Sequence, residues 1–161
     1  HRSLRWSGTA GQFAGKSPQA VPLHQLDPNQ VILLDAEVHP ADRPHYLKAW
    51  LEQPDTRTWG IANHGVVDAL AVARPCQTGW KVGPLIARHP EQARELMQAC
   101  CTGLASDTPV FVDAPEPNAA ARQLFEGAGM TVSFEVARMY TQKVRQHRLD
   151  WLYGVTSFEM G

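Results

Sequence analysis

Cysteine and long hydrophobic runs are both scarce in this sequence. It has three cysteines, Cys76, Cys100 and Cys101, and two of them are adjacent. Neighbouring side chains on a helix point about 100° apart, so the adjacent pair is poorly placed to bind one metal ion or to form a disulfide. Buried thiols in a reducing compartment are the ordinary interpretation, and it predicts a cytoplasmic protein. Apolar runs such as residues 31–34 are far too short to cross a membrane.

An excess of charge of one sign is also missing. Fifteen Lys and Arg residues face sixteen Asp and Glu residues, for a formal net charge of -1, and no block of like charges occurs. Nucleic-acid-binding domains usually carry a basic face, so this class of function is not expected. No signal peptide is recognisable at the start of the chain. The 161 residues, 43% of them hydrophobic, suffice for one domain with its own core.

Several motifs that would indicate a particular chemistry are absent. The seven histidines are scattered, without a His-x-x-x-His or Cys-x-x-Cys spacing, so no metal site is predicted. The Gly-x-Ser-x-Gly turn of α/β-hydrolases is missing. Walker-type and dinucleotide-binding glycine patterns are missing as well. Metal enzymes, α/β-hydrolases and nucleotide-binding folds of these types are therefore not expected.

The hydrophobic pattern predicts one domain of mixed α/β (α+β) type. Residues 1–20 are rich in Gly and Ser without an apolar period, which predicts a linker or mobile arm, and residues 21–161 form the domain. Seven strands and four helices are predicted in an order typical of a sheet covered by helices. The predicted strands are 21–26, 57–62, 66–73, 80–87, 109–114, 131–141 and 151–160, and the predicted helices are 28–37, 44–53, 90–105 and 118–128.

One strand–helix unit carries a family resemblance. The predicted strand at 110–113 is followed by a helix that opens with Asn118 and closes with Phe125-Glu-Gly-Ala-Gly129. This unit resembles the late strand–helix unit of the GNAT superfamily of N-acetyltransferases. Together with residues 73–85 and 153–161, it is similar to the C-terminal GNAT-like domain of bacterial tandem acetyltransferases. The resemblance implies a mixed, mostly antiparallel sheet, flanked by helices and splayed between the fourth and fifth strands.

The resemblance also implies an acetyl-CoA site in the splayed gap. The pantetheine arm would pair with the fourth strand, and the pyrophosphate would lie at the N-terminus of the next helix, where free N–H groups favour an anion. The cofactor-binding residues implied in this way are Leu85, Ile86, Ala87, Arg88, Gln92, Ala93, Asn118 and Phe125. No metal is implied.

Two features depart from the family pattern, the phosphate loop and the position of a tyrosine. Glu91 stands where the phosphate loop of the family has a glycine, and Pro90 removes one N–H donor. Phe125 stands where many members have a tyrosine that reprotonates the CoA thiolate, and phenylalanine has no proton to donate. Asn118 has a structural alternative, which is to cap the helix that it opens.

The residues around the acceptor are less specified. Trp80, which opens the fourth strand, and Asp113, at the end of its predicted strand where ligands collect in open sheets, are candidate substrate-binding residues. Asp113, Glu135 or Glu159 could be a general base for an amine, or each could be a solvated or loop-capping carboxylate. No catalytic residue is assigned.

Two functions are compatible with this pattern. The first is an acetyl-CoA-dependent N-acetyltransferase that acts on a primary amine of a small molecule or protein. The second is a catalytically degenerate GNAT-like module that packs on or regulates an upstream catalytic GNAT domain in the same polypeptide, as Glu91 and Phe125 favour. Residues 1–20 would then be the linker between the two domains.

Overall fold

The computed structural model describes residues 1–141, 143 and 146–159. This part of the chain contains eight strands, four helices and short 3-10 turns at Ala10–Phe13, Leu23–Gln25 and Leu149–Trp151. The strands are β1 (Arg2–Thr9), β2 (Val21–Pro22), β3 (Arg57–Asn63), β4 (Val66–Pro75), β5 (Trp80–Ala87), β6 (Pro109–Pro115), β7 (Thr131–Ala137) and β8 (Leu152–Gly154). The helices are α1 (Pro28–Val38), α2 (Pro44–Leu51), α3 (Pro90–Cys101) and α4 (Ala119–Gly127).

One mixed sheet organises the molecule. Its strand order is β2-β3-β4-β5-β6-β1-β7, and β8 pairs with β5 outside this path. The pair β5 and β6 is parallel and in register only from Trp80–Val82 against Val110–Val112, whereas the other neighbours are antiparallel. Beyond those three residue pairs the two strands diverge. The predicted mixed sheet with a splay is confirmed. The splay lies between the strands predicted as the fourth and fifth, which are numbered β5 and β6 because the structure has one more strand, β1, before them.

The prediction of a linker over residues 1–20 is wrong for its first half. β1 lies inside the sheet, paired with β6 on one side and with β7 on the other. Trp6 is buried and packs on Phe125, with ring centroids 5.8 Å apart. β1 contains Ser3, Ser7 and Gly8 and few apolar residues. Its composition therefore resembles that of a linker, although the strand is paired on both sides.

Helices cover parts of both faces of the sheet and enclose two apolar cores. One core lies between the sheet and α3 and α4 and includes Leu96, Val112, Phe125 and Tyr153. The other lies on the opposite face, under α1 and α2, and includes Leu34, Leu47, Leu70, Ile86, Leu152 and Val155. β8 therefore contributes side chains to both cores, which places it between the two layers.

Local sequence signals account for most element ends. Asp27 caps α1 by accepting a hydrogen bond from the Asn29 N–H at 2.9 Å, and Pro28 is the first helical residue. α3 ends earlier than predicted, and the positive φ of 77° at Gly103 turns the chain away shortly after it. The last strand is only Leu152–Gly154 rather than 151–160, and Met160 lies outside the described residues. None of the described helices is long and apolar enough to cross a membrane.

Candidate functional site

The gap between β5 and β6 is filled by β8. β8 runs antiparallel to β5, with Leu85 opposite Gly154 and Ile86 opposite Leu152. On the other side, the Val155 N–H donates to the Asp113 carbonyl oxygen on β6 at 2.7 Å. The backbone of the C-terminal segment thus bonds to both walls of the gap, so the two diverging strands are bridged by the chain itself.

Two glycines allow this close approach of β8. A Cβ at Gly83 on β5 would collide with the Val155 carbonyl oxygen. A Cβ at Gly154 on β8 would lie 2.9 Å from Val112 Cγ1 and 3.2 Å from Leu85 Cβ. Backbone therefore packs on backbone across the gap, and no free channel separates β8 from β5.

The three residues predicted to pair with pantetheine lie at the edge of this gap. Leu85, Ile86 and Ala87 are fully buried at the end of β5. One side of the strand pairs with β4, and the other side of Leu85 and Ile86 pairs with β8. The strand edge that a ligand would use at these residues is therefore already paired with β8.

The start of α3 is also committed to internal contacts. Pro90, the first helical residue, has no N–H. The Arg88 N–H donates to the Asp68 carbonyl oxygen at 3.2 Å. The His89 N–H donates to Gln92 Oε1 at 3.2 Å, and the Gln92 N–H donates back to the His89 carbonyl oxygen at 3.1 Å. These amides face acceptors of the protein, as in a capped helix rather than an open anion site.

The side chains at this helix start do not form a phosphate cradle either. The Arg88 guanidinium lies over the Trp151 ring, 4.7 Å from its centroid, with Nε 3.5 Å from Asp68 Oδ1. Ala93 is fully buried in the core, and Glu91 is exposed in the first turn. A carboxylate beside a pyrophosphate would repel it.

Asn118 ties the C-terminal segment to α4. Its Oδ1 accepts a hydrogen bond from the Ala121 N–H at 3.0 Å, which caps the helix. Its Nδ2 donates to the carbonyl oxygens of Asp150 and Leu152, at 3.1 and 3.0 Å. The capping alternative considered from the sequence is observed, and the rest of the side chain holds β8 in the gap.

Phe125 lies in the core rather than at a ligand-accessible surface. It is fully buried, and its nearest recorded ring neighbour is Trp6 of β1. Trp80 is half-buried under the Arg57 guanidinium, which lies 4.5 Å from its ring centroid. It is the first residue of β5, where β5 and β6 are still paired. The structure therefore does not bring Trp80 together with the residues of the gap.

Asp113 is the centre of a buried ion-pair cluster. Its side chain is fully buried, and its two oxygens accept from Arg5 Nε and Nη2 at 2.7 and 2.9 Å. Lys81, also buried, donates its Nζ to the same carboxylate. Both carboxylate oxygens are thus bonded to cationic side chains of the protein and shielded from solvent, so neither is free to contact an amine.

The other two carboxylates considered as bases are solvent-exposed. Glu135 forms an ion pair with Arg2 at 3.0 Å. Hydrogen bonds from its own backbone N–H and from Ser157 lower the pKa of Glu159, with Lys81 and Arg5 acting in the same direction. A lowered pKa makes Glu159 a weaker base than an ordinary glutamate.

Sequence reasoning missed Lys81, Arg5 and the role of residues 152–155. Lys81 had a detectable signal, because it is a single charge within an otherwise apolar strand. Among the described residues, no group of His, Cys, Asp and Glu is arranged to bind a metal ion.

This architecture, a mixed sheet that splays between two parallel strands with a helix starting at the gap, defines an acetyltransferase-type α/β domain. A family model described as an acetyltransferase (GNAT) domain matches residues 31–154. The chain therefore belongs to the GNAT family. No curated protein matches the sequence.

Solved structures show the same fold. A putative acetyltransferase from Pyrococcus horikoshii is 20% identical with a TM-score of 0.78, and the match covers all of this chain and 52% of that one. A putative GNAT-family acetyltransferase from Novosphingobium aromaticivorans is 17% identical with a TM-score of 0.59, covering 84% and 62%. A functionally unknown protein from Staphylococcus epidermidis is 11% identical with a TM-score of 0.61, covering 83% and 58%. The match thus spans one half to just under two thirds of each of these longer chains.

Acetyl-CoA, the cofactor that the family resemblance implies, does not fit this gap. The edge of β5 that would pair with pantetheine is bonded to β8, and the N–H groups of Arg88, His89 and Gln92 have acceptors in the protein. The buried Phe125 and the exposed Glu91 are further mismatches.

Proposed function

We propose that this chain is a non-catalytic GNAT-fold module that packs on or regulates a catalytic GNAT domain. The observation that carries the proposal is the backbone of residues 152–155: β8 pairs with β5, and the next residue, Val155, bonds to β6 across the gap where the family would hold its cofactor. Loss of a cofactor cleft removes acetyl transfer but keeps a stable, helix-covered sheet that can still form an interface.

The partner proposed is an upstream GNAT domain of the same polypeptide. The support is relative length. The match to the Pyrococcus horikoshii protein covers all of this chain but only 52% of that protein, which is therefore about twice as long. A regulatory or packing role would then be exerted in cis.

A second candidate is an acetyl-CoA-dependent N-acetyltransferase that acts on a primary amine once β8 leaves the gap. Its support is that β8 is only three residues long and its pairing with β5 is irregular between Leu85 and Ile86. Short irregular strands separate at a lower cost than long ones.

Titration with acetyl-CoA, followed by the unfolding temperature, tests the first proposal against the second. We expect no saturable stabilisation of the wild-type chain, whereas a ligand at about 100 times its Kd adds about 2.7 kcal/mol. Glu91→Gly restores the family glycine and Glu91→Gln removes only the charge, so the two variants form a matched pair. We expect neither to bind, because β8 and not Glu91 closes the gap.

Saturable binding to the wild-type chain, or acetyl transfer from labelled acetyl-CoA to any member of an amine panel, would contradict the non-catalytic proposal. Binding to Glu91→Gly alone would show that the gap opens and that the phosphate loop is the true defect. That outcome would leave the wild-type chain non-catalytic, but for a reason other than β8.

A further inference from the structure

Cationic side chains are gathered on the face of the sheet that carries α2. Arg74 on β4 is directly opposite Lys81 on β5, so both side chains point to the same face. Arg5 extends the row on β1 through its contact with Asp113. Four neighbouring strands thus contribute three cations and one carboxylate.

Arg74 is the cation of this row whose charge is not matched. Asp113 accepts hydrogen bonds from both Lys81 and Arg5, and the charges of these two cations also act on the carboxylate of Glu159. Counting Asp113 and Glu159 against the three cations leaves one positive charge. In the part of the chain that the structure describes, no hydrogen bond or ion pair is recorded for the Arg74 guanidinium.

Two donors beside α2 are buried without a partner. Arg74 Nε and the Tyr46 hydroxyl are both shielded from solvent, and neither has a hydrogen-bond partner among the described residues. Buried polar groups are almost always satisfied, so two such donors near one another need an explanation. An acceptor from outside the chain would satisfy them.

Trp50 links the two donors. Its ring stacks on Tyr46 with centroids 5.8 Å apart, and the Arg74 guanidinium lies over it at 5.3 Å. The Trp50 Nε1–H donates to the Gly83 carbonyl oxygen at 3.1 Å, which fixes the ring against β5. The positive charge of Arg74 reaches the Tyr46 hydroxyl, since it acts to lower the pKa of that group.

The nearby ion pair of Arg43 and Asp35 does not bond to Arg74 Nε or to the Tyr46 hydroxyl. Arg43 lies over the Tyr46 ring at 5.1 Å, but its Nε and Nη2 donate to the Asp35 carboxylate, each at 2.8 Å. Burial raises the pKa of Tyr46 overall, with Asp35 and Glu159 acting in the same direction and Arg43 and Arg74 opposing it. Tyr46 therefore stays a hydrogen-bond donor at neutral pH.

We propose that a small carboxylate-bearing molecule binds between α2 and β4, held by the Arg74 guanidinium and the Tyr46 hydroxyl. A guanidinium presents parallel N–H groups that match the two oxygens of a carboxylate. One unmatched positive charge suits a monoanion better than a phosphate dianion, and the Tyr46 and Trp50 rings offer apolar surface to the body of the ligand. This site uses none of the residues of the gap, so it stands independently of the acetyl-CoA question.

The test uses benzoate as an aromatic carboxylate and inorganic phosphate as the competing oxyanion. Calorimetry gives the affinity of each probe, and ¹⁵N NMR follows the Arg74 Nε–H and Trp50 indole signals. We expect saturable benzoate binding that shifts both signals, with weaker binding of phosphate. Tighter binding of phosphate than of benzoate would overturn the assignment to a carboxylate.

Three variants localise the binding. Arg74→Gln is expected to weaken benzoate binding at least about tenfold, since a hydrogen-bonded charge pair is lost. Tyr46→Phe keeps the ring stack and removes only one donor, so it is expected to weaken binding several-fold with the fold retained. Arg94→Gln makes the same charge change at an exposed position on α3, on the opposite side of the sheet, and is expected to leave the affinity unchanged.

Two further results would overturn the proposal. One is the absence of saturable benzoate binding to the wild-type chain. The other is an equal loss in Arg74→Gln and Arg94→Gln, which would mean general charge attraction. Circular dichroism shows whether each variant is folded. If Arg74→Gln does not fold, the benzoate affinity of Tyr46→Phe tests the proposed site.

Discussion

Asn118 shows how one side chain can satisfy three backbone groups at once. It caps α4 through Ala121 and holds two carbonyl oxygens of the segment that enters the gap, at Asp150 and Leu152. An amide is suited to this because it carries both an acceptor and two donors. The family resemblance links this asparagine to the cofactor. In this chain it instead holds the segment that fills the gap.

His39 is the residue whose protonation is expected to control stability in acid. Its Nδ1 lies 2.9 Å from the Asp35 carbonyl oxygen. Burial lowers its pKa to about 4; Asp35 opposes this shift, and Arg43 and Arg138 add to it. An unfolded histidine has a pKa of about 6.5, so the unfolded chain binds the proton first and stability falls as the pH drops from about 6.5 to about 4.

Urea unfolding between pH 7 and pH 4 measures this effect. The pKa difference corresponds to about 3 kcal/mol at its full extent. We expect His39→Gln to flatten the dependence of the free energy of unfolding on pH, while His24→Gln, at an exposed histidine, leaves it as in the wild-type chain. Parallel curves for all three proteins would show that His39 is not the titrating group.

At the scale of elements, β8 is a short strand that closes the sheet and fills the gap. Its position depends on Gly154, where an added methyl group would press on Val112 and Leu85. Gly127 at the end of α4 is a matched contrast, because a Cβ there would meet nothing within 4 Å.

Alanine at these two glycines is therefore expected to act in opposite directions. Gly154→Ala should destabilise the chain by about 1 to 3 kcal/mol through overpacking. Gly127→Ala should stabilise it by up to about 1 kcal/mol, because alanine is the better helix former. Denaturant unfolding gives both values, and hydrogen exchange at the Val155 amide is expected to become faster only in Gly154→Ala. Unchanged exchange at Val155 would mean that β8 is not held by this close contact.

At the scale of the whole molecule, the sheet depends on β1, which is formed by Arg2–Thr9. β1 joins β6 to β7, and β7 has no other strand partner in the recorded sheet. Trp6 and Phe13 from this region are buried. The first residues therefore complete the core.

Removal of residues 1–9 is expected to abolish cooperative folding. It takes away both the backbone partners of β7 and the buried Trp6, and a two-sided loss of pairing in a central strand cannot be repaired locally. Near-UV circular dichroism and thermal unfolding report the loss, with removal of the exposed His1 alone as the control. A sharp unfolding transition in the shortened chain would show that β1 is an accessory strand.

Most elements could be predicted because their signals are local. Asp27 and Pro28 mark the start of α1, and Asn118 is the N-cap that marks the start of α4. Residues 80–87 have the length and apolar character of a strand. These features depend on hydrogen bonds and packing between residues near one another in the chain. The GNAT fold itself was therefore recognisable from the order of such elements and a few motif residues.

The sequence by itself thus determined most of the elements and the family. Only the tertiary structure decided the place of β1 in the sheet and the entry of β8 between β5 and β6. Both depend on backbone hydrogen bonds between segments far apart in the chain, and backbone groups are the same in every residue, so no local pattern encodes which segments meet. Whether the gap could receive a ligand was decided by that same pairing.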